Sequence, residues 1–174
     1  MIEAVIFDLD GVLLDSEQLW DRARRETVDS HGGRWPSHGT QDMQGMSSTE
    51  WAAYLKQHAG IQATEDHIVD AALDRLLAYY RDRLPLVPGA KGAVERMAAQ
   101  WRVGLASSSN RPVIDAVLAL AGLQQLFTAT VSSEEVPRGK PSPDVYFEVT
   151  RRLNVKPSNA VAVEDSVNGI RAAK

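Results

Sequence analysis

The strongest constraint on the fold is a regular alternation of helix-forming and strand-forming segments after residue 89. Apolar runs typical of buried strands lie at Arg102–Ser107, near Ala129–Ser132 and at Ala160–Val163. The segments before and between them predict helices at Ala90–Gln100, Pro112–Ala121 and Pro143–Leu153. Strands that alternate with helices of this length form parallel sheets through right-handed crossovers. We therefore predict an α/β fold with a Rossmann-like parallel sheet core.

One further strand lies at the start of the chain. The apolar run Ile2–Phe7 ends at Asp8, a pattern typical of a strand that is buried on both faces. We predict that this strand joins the three later ones in a sheet with the order third, second, first, fourth. The first strand then lies inside the sheet, between the second and the fourth.

An all-helical block separates the first strand from the alternating pattern. Helices are predicted to begin near Ser16, near Ser47 and at Thr64, each of which has a hydroxyl that can cap a helix. The block ends where Leu84–Gly89, with two prolines and a glycine, breaks the helical pattern. We predict an inserted helical cap and a catalytic core, formed by residues 16–84 and by residues 1–15 with 85–174.

The end of the sequence falls inside a predicted helix. This last helix begins near Ser166, and neither a glycine, a proline nor a tail marks its end before Lys174. From this pattern we expect that the natural protein continues and that a further strand of the sheet follows.

The composition argues against several classes of protein. Lys and Arg total 19 and Asp and Glu total 23, so the formal charge is 19 − 23 = −4, without the basic excess of a general nucleic-acid or membrane-surface binder. The absence of cysteine excludes disulfides and thiolate metal sites. The N-terminus resembles neither a signal peptide nor a membrane span. We expect a cytoplasmic protein that is a monomer or a weak dimer.

The first strand is followed by a pair of acidic residues. Asp8 and Asp10 point to the same side of an extended chain, and Gly11 allows a turn directly after them. Taken alone, this motif is more often a turn with two solvated carboxylates. A calcium-binding loop is excluded because Val12 stands where the third ligand would be.

Polar residues also follow the other three strands. Ser107, Ser108 and Asn110 follow the second strand, and such a strand-to-helix turn can hold phosphate oxygens. Lys140 follows the third strand, just before a helix, and the pair Glu164 and Asp165 follows the fourth. Each group alone has an ordinary interpretation, as a turn, a solvated lysine or a helix start.

The order of these groups along the chain favours one common site. The carboxyl ends of parallel strands meet at one edge of the sheet, so the acids, the hydroxyl and the lysine should converge there. Several carboxylates at one site repel one another unless a cation lies among them. Oxygen ligands without histidine or cysteine favour Mg²⁺ over Zn²⁺. The sequence therefore predicts a magnesium site.

The motifs resemble those of the haloacid dehalogenase-like hydrolases. The segment Phe7–Glu17 is similar to the first signature of that superfamily, in the branch of β-phosphoglucomutases and small sugar phosphatases. Ser107 resembles the second motif, Lys140 the third, and Glu164-Asp165 the fourth. The motifs span nearly the whole chain, and the first is highly specific.

The resemblance implies a role for each matching residue. Asp8 would be the nucleophile that forms an aspartyl-phosphate, and Asp10 would be the general acid and base. Ser107 and Lys140 would hold the phosphoryl oxygens. Mg²⁺ would be bound by Asp8, the Asp10 carbonyl, Asp165 and Glu164, the last directly or through water. With an ordinary pKa of about 3.9, Asp8 is expected to be ionised at neutral pH without help.

The same resemblance places specificity in the cap. Ser108 and Asn110 in the core, and Trp20 and Ser47 in the cap, are candidate contacts for a small phosphorylated metabolite. A sugar phosphomutase shares every core residue and is the main alternative to a phosphatase. Trp20 disfavours it, because many relatives carry at this position a histidine that assists the mutase reaction.

Two other classes fit less well. A haloacid dehalogenase would use the same nucleophile but needs neither Asp10 nor the pair Glu164-Asp165. A phospho-accepting receiver domain places its aspartate after a middle strand and has no helical insertion after the first. Both differ from the order of motifs in this chain.

Overall fold

The computed structural model describes residues 1–43 and 46–174. Four strands form one parallel sheet in the order β3-β2-β1-β4. Their bounds are β1 Ala4–Phe7, β2 Arg102–Ser107, β3 Phe127–Ser132 and β4 Ala160–Val163. The predicted α/β class and strand order are both confirmed.

The described residues also form eight α-helices. Their bounds are α1 Glu17–Ser30, α2 Gly39–Asp42, α3 Ser48–His58, α4 Glu65–Asp82, α5 Ala90–Ala98, α6 Arg111–Ala121, α7 Asp144–Leu153 and α8 Val167–Ala173. Among these residues, none of the helices combines the length and the hydrophobicity that a membrane span requires.

The chain divides into two compact units. The core unit comprises Met1–Asp15 and Leu84–Lys174, and the helical unit comprises Ser16–Arg83. All four strands belong to the core unit, together with α5 to α8. The described part of the helical unit contains α1 to α4 and no strand.

The strand register aligns the ends of β1 and β4. Phe7, the last residue of β1, pairs with Leu105 of β2 on one side and with Val163 at the end of β4 on the other. The backbone N–H of Asp8 then donates to the carbonyl oxygen of Val163 at 3.0 Å. The residues that follow β1 and β4 are therefore neighbours, although more than 150 positions separate them in the sequence.

Helix α7 packs closely against one face of the sheet. A Cβ atom at Gly104 of β2 would lie 2.9 Å from Val149 and 3.0 Å from Leu153, so the absent side chain permits this approach. The buried cluster around α7 comprises Ala4, Ile6, Ala106, Ala129, Val131, Val145, Tyr146, Val149, Leu153, Val155 and Ala172. This close packing fixes α7, and with it the segment that leads from Lys140 into the helix, against the sheet.

Hydroxyl groups cap two helices of the helical unit as predicted. Ser47 and Glu50 form a reciprocal capping box at α3, and the Thr64 hydroxyl accepts from the His67 N–H at α4. The apolar stripe along α4 is buried, as its helical spacing in the sequence indicates, at Ile68, Ala72, Leu76 and Tyr80.

Two details of the helical unit differ from the prediction. Ser16 precedes α1 but makes no side-chain capping bond, because its backbone is helical (φ −98°, ψ −16°) and not extended as at α3 and α4. Helix α2 lies in a stretch for which no helix was predicted. Thr40 in this helix donates to Asp21 of α1 at 2.7 Å, a side-chain contact that periodicity does not reveal.

Candidate active site

The first candidate residue lies where β1 ends. Asp8 follows the strand directly and is 7% exposed. Gly11 turns the chain away with a φ of +79°, a conformation that favours glycine. A Cβ atom there would lie 1.9 Å from Oδ2 of Asp165, so glycine also leaves the space that this carboxylate occupies.

Lys140 is buried among acceptors at the same edge of the sheet. Its Nζ donates to Oδ1 of Asp8 at 2.8 Å, to the carbonyl oxygen of Ala106 at 2.9 Å and to Oε1 of Glu164. The ammonium group also lies 5.3 Å from the centre of the Tyr146 ring. The site thus brings the predicted nucleophile and the predicted phosphate-binding lysine into direct contact.

Three carboxylates form a cluster around this lysine. One oxygen from each of Asp8, Glu164 and Asp165 lies within 4.8 Å of the others. Glu164 is further held by the Tyr146 hydroxyl, which donates to its Oε1 at 2.6 Å. One ammonium group does not neutralise three carboxylates, and hard oxygen donors at this spacing suit Mg²⁺. The cluster therefore fits the predicted ion.

Burial changes the ionisation of these acids. Burial raises the pKa of Asp8 to about 7, although the charge of Lys140 acts in the opposite direction. Burial is also the main cause that raises the pKa of Asp165. Burial therefore opposes the expectation that Asp8 is ionised at neutral pH without help, because a pKa of about 7 leaves only about half of this carboxyl ionised there. The sequence did not reveal how deeply this carboxylate is buried.

The loop after β2 connects two candidate residues through Ser109. The Ser109 N–H donates to the Ser107 hydroxyl oxygen at 3.0 Å, so the Ser107 hydrogen can be donated to a phosphate oxygen. The Ser109 hydroxyl donates to Oδ2 of Asp10 at 2.5 Å. The Ser132 hydroxyl, at the end of β3, donates to the Ser109 carbonyl oxygen at 2.8 Å and so ties this loop to β3.

The other two predicted loop residues have different surroundings. Ser108 is exposed. The Asn110 amide is buried and donates to Oε1 of Glu134, whose Oε2 accepts from the Arg111 N–H at 3.0 Å. Glu134 thus occupies the N-terminus of α6. That Ser108 and Asn110 contact the substrate stays a prediction.

The predicted cap contacts have structural partners within the helical unit. Trp20 is 8% exposed and packs edge to face on Trp51, with ring centres 6.4 Å apart. Ser47 takes part in the capping box with Glu50. Both side chains therefore stabilise the helical unit, and their contact with a substrate stays a prediction.

Sequence reasoning missed three residues of this region. Ser109, Glu134 and Tyr146 hold Asp10, Asn110 and Glu164. Ser109 stood within a polar run, and Tyr146 belongs to the first turn of the helix after Lys140, so both positions carried a weak signal. Glu134 lies in a short turn whose sequence carries no comparable pattern.

Fold and site together define an α/β enzyme with an acidic centre at the carboxyl edge of its sheet. Residues 2–174 match the model of the haloacid dehalogenase-like hydrolase family. The chain is 36% identical to hexitol phosphatase B of Escherichia coli, over 99% of its own length and 79% of that protein. It is 31% identical to a phosphorylated carbohydrates phosphatase of Thermotoga maritima, over 99% and 81%.

A solved structure agrees with these matches. The protein CbbY from Rhodobacter sphaeroides in complex with phosphate superposes with a TM-score of 0.89 at 31% identity, covering 99% of this chain and 82% of that one. The chain belongs to the haloacid dehalogenase-like hydrolases. The resemblance inferred from the motifs is thereby confirmed, as is the enzyme class, a phosphoric monoester hydrolase.

Proposed function

We propose that the protein is a Mg²⁺-dependent phosphatase that hydrolyses a small phosphorylated metabolite, such as a sugar phosphate, through an aspartyl-phosphate on Asp8. The observation that carries the proposal is the buried contact of Asp8 with Lys140 inside a cluster of three carboxylates. Buried charges are costly unless they are paired, and they concentrate at functional sites. Phosphatases among the relatives support the same reaction.

In the first step Asp8 attacks the substrate phosphorus. A bond forms between a carboxylate oxygen and phosphorus, the ester P–O bond breaks, and Asp10 gives a proton to the departing alcohol oxygen. Lys140 and Ser107 hold the phosphoryl oxygens and offset their charge. In the second step water attacks the phosphorus and gives a proton to Asp10, while the bond to Asp8 breaks and inorganic phosphate is released.

Mg²⁺ would be held by Asp8, Glu164 and Asp165, with the Asp10 carbonyl as a further predicted ligand. The ion supplies positive charge that allows the phosphate dianion to approach a carboxylate. Glu164 has a second task in this proposal, because it also accepts hydrogen bonds from Lys140 and Tyr146.

The sugar phosphomutase remains the alternative with the same core chemistry. It would transfer the phosphoryl group to a second sugar oxygen instead of water. The residue at the position of the histidine that assists mutases is Trp20, which packs on Trp51 and offers no acid or base. The helical unit therefore favours the phosphatase.

Release of inorganic phosphate from a panel of phosphorylated metabolites, with Mg²⁺ or with a chelator, tests the proposal. Turnover of at least one sugar or hexitol phosphate that requires Mg²⁺ is expected. Calorimetric titration with Mg²⁺ should show binding to the wild type and at least about tenfold weaker binding to Asp165→Ala. Turnover that persists in chelator, or unchanged affinity in the variant, would contradict the metal part of the proposal.

A further inference from the structure

Ser109 makes a hydrogen bond through each of its three polar groups. Its N–H donates to Ser107, its carbonyl oxygen accepts from Ser132, and its hydroxyl donates to Asp10. The residue is only 6% exposed, so these bonds are shielded from water. It is therefore the link between the candidate phosphate-binding serine and the candidate general acid.

The two backbone bonds and the hydroxyl bond have separable effects. The N–H and the carbonyl fix the loop and the Ser107 hydroxyl, and they persist whatever the side chain is. The hydroxyl acts only on Oδ2 of Asp10, at 2.5 Å. The Ser109 side chain therefore restricts how the Asp10 carboxylate can rotate.

We propose that Ser109 is a positioning residue for Asp10, which it orients toward the leaving oxygen and later toward the attacking water. The inference rests on the proposed function, because it assigns Asp10 the proton transfers of both half-reactions. A general acid must lie within hydrogen-bond distance of the atom that it protonates. A carboxylate that rotates freely would lose part of this advantage.

The leaving group distinguishes this role from a merely structural one. A hexitol phosphate releases a poor leaving group and needs a proton from Asp10, whereas p-nitrophenyl phosphate releases a stable phenolate and needs none. Both substrates give the same aspartyl-phosphate, whose hydrolysis needs Asp10 as a base. Loss of positioning should therefore slow the first step with the hexitol phosphate only. It should slow the second step with both substrates.

Ser109→Ala removes only the hydroxyl and is the variant to test. We expect kcat/KM for a hexitol phosphate to fall at least about tenfold, and kcat/KM for p-nitrophenyl phosphate to change by less than about threefold. Stopped-flow mixing of Ser109→Ala with p-nitrophenyl phosphate should show a burst of p-nitrophenol of one equivalent per enzyme. Inhibition by inorganic phosphate should be unchanged, because the Ser107 contacts remain.

The matched control is Ser133→Ala, which removes a buried hydroxyl oxygen for which the described residues provide no hydrogen-bond partner. It should behave as the wild type with both substrates. If Ser109→Ala does not fold, as judged by circular dichroism, Ser109→Cys replaces it, because a thiol is of similar size but a weak donor.

The outcomes separate this inference from the proposed function. If the wild type is active, equal losses of kcat/KM with both substrates in Ser109→Ala, or no loss of kcat/KM with either, would overturn the role of Ser109 and leave the phosphatase intact. A wild type that hydrolyses neither p-nitrophenyl phosphate nor any phosphorylated metabolite of the panel with Mg²⁺ would overturn both.

Discussion

The two units of the molecule use charged residues in opposite ways. In the core unit, the Asp8, Lys140 and Glu164 side chains are 9%, 5% and 3% exposed, and Lys140 contacts both carboxylates. In the helical unit, ion pairs such as Arg22 with Glu26 lie at the surface, where these two side chains are 60% and 41% exposed. The core unit thus buries one group of charges at the end of its sheet, whereas the Arg22–Glu26 pair of the helical unit stays in water.

This difference indicates where the chemistry lies. A surface ion pair contributes at most about 1 kcal/mol, whereas buried charges carry a desolvation cost that can exceed their attraction. Groups that remain buried and charged in spite of that cost are candidates for function. The helical unit is instead held together by apolar packing and by capped helices, and its sequence carries no comparable chemical motif.

The largest effect is expected from Asp8→Asn in the core unit. The amide keeps the shape of the side chain but cannot act as a nucleophile, so phosphatase activity should fall more than about a thousandfold. Initial rates and a thermal unfolding curve would show loss of turnover in a folded protein. Asp29→Asn, an exposed acid of the helical unit, is the control and should keep full activity. Retention of more than about a hundredth of the activity would remove Asp8 as the attacking group.

The next largest effect concerns packing in the helical unit. Trp51 is 2% exposed, and Trp51→Ala should lower the free energy of unfolding of this unit by about 3–5 kcal/mol. Mg²⁺ affinity, measured by calorimetry, should stay within about twofold, since the carboxylate cluster lies in the core unit. Trp35→Ala, at a partly exposed position, should lower the free energy of unfolding by less than Trp51→Ala. Loss of Mg²⁺ binding in Trp51→Ala would contradict the separation of the two units.

A smaller effect is expected at the turn after β1. Gly11→Ala introduces a Cβ that meets the Asp165 carboxylate, and it should weaken Mg²⁺ binding by about tenfold or more. Gly89→Ala is the matched control, because Gly89 has a φ of +85° but nothing within 4 Å of an added Cβ. Both variants should lose about 1–2 kcal/mol of stability from the left-handed backbone. Equal Mg²⁺ affinities of Gly11→Ala and Gly89→Ala would show that Gly11 is needed only for its backbone conformation.

The smallest effect is expected for an exposed ion cluster of the core unit. Hydrogen bonds from Arg151 and Arg152 lower the pKa of Glu148 from 4.5 to about 2. Because its pKa is lower in the folded protein, ionised Glu148 stabilises the fold at pH values above its ordinary pKa of 4.5. This stabilisation is lost as the pH falls from about 4.5 toward about 2.

Urea unfolding of the wild type and of Glu148→Gln at several pH values tests this assignment. The midpoint of the variant should be slightly lower near neutral pH, and the difference should shrink below about pH 4.5. A difference between the two midpoints that grows on acidification would contradict the lowered pKa of Glu148. A large difference at neutral pH would contradict the contrast between buried and exposed charges.

Much of the fold and of the site geometry could be predicted from the sequence, because both follow from strand ends. Parallel strands place their carboxyl ends at one edge, so Asp8, Lys140, Glu164 and Asp165 could be expected to meet there, and the structure brings them together. The helical segments other than α2 were equally predictable from apolar spacing and breakers.

What could not be predicted depends on side-chain contacts between distant loops. The bonds of Ser109 to Asp10 and of Asn110 to Glu134 join residues 99 and 24 positions apart, and no local pattern encodes them. The raised pKa of Asp8 depends on burial, which is a property of the packed site and not of the motif. Substrate choice is equally hidden, because the helical unit carries packing and caps but no code for a ligand.

The most direct test of the central claim is to trap the covalent intermediate. The wild type is mixed with substrate and Mg²⁺, quenched in acid during turnover, digested and analysed by peptide mass spectrometry. The proposed mechanism predicts one phosphoryl group on the peptide that contains Asp8, and none on the same peptide of Asp8→Asn. A phosphoryl group on another residue of an active enzyme, or turnover by Asp8→Asn at the wild-type rate, would contradict it.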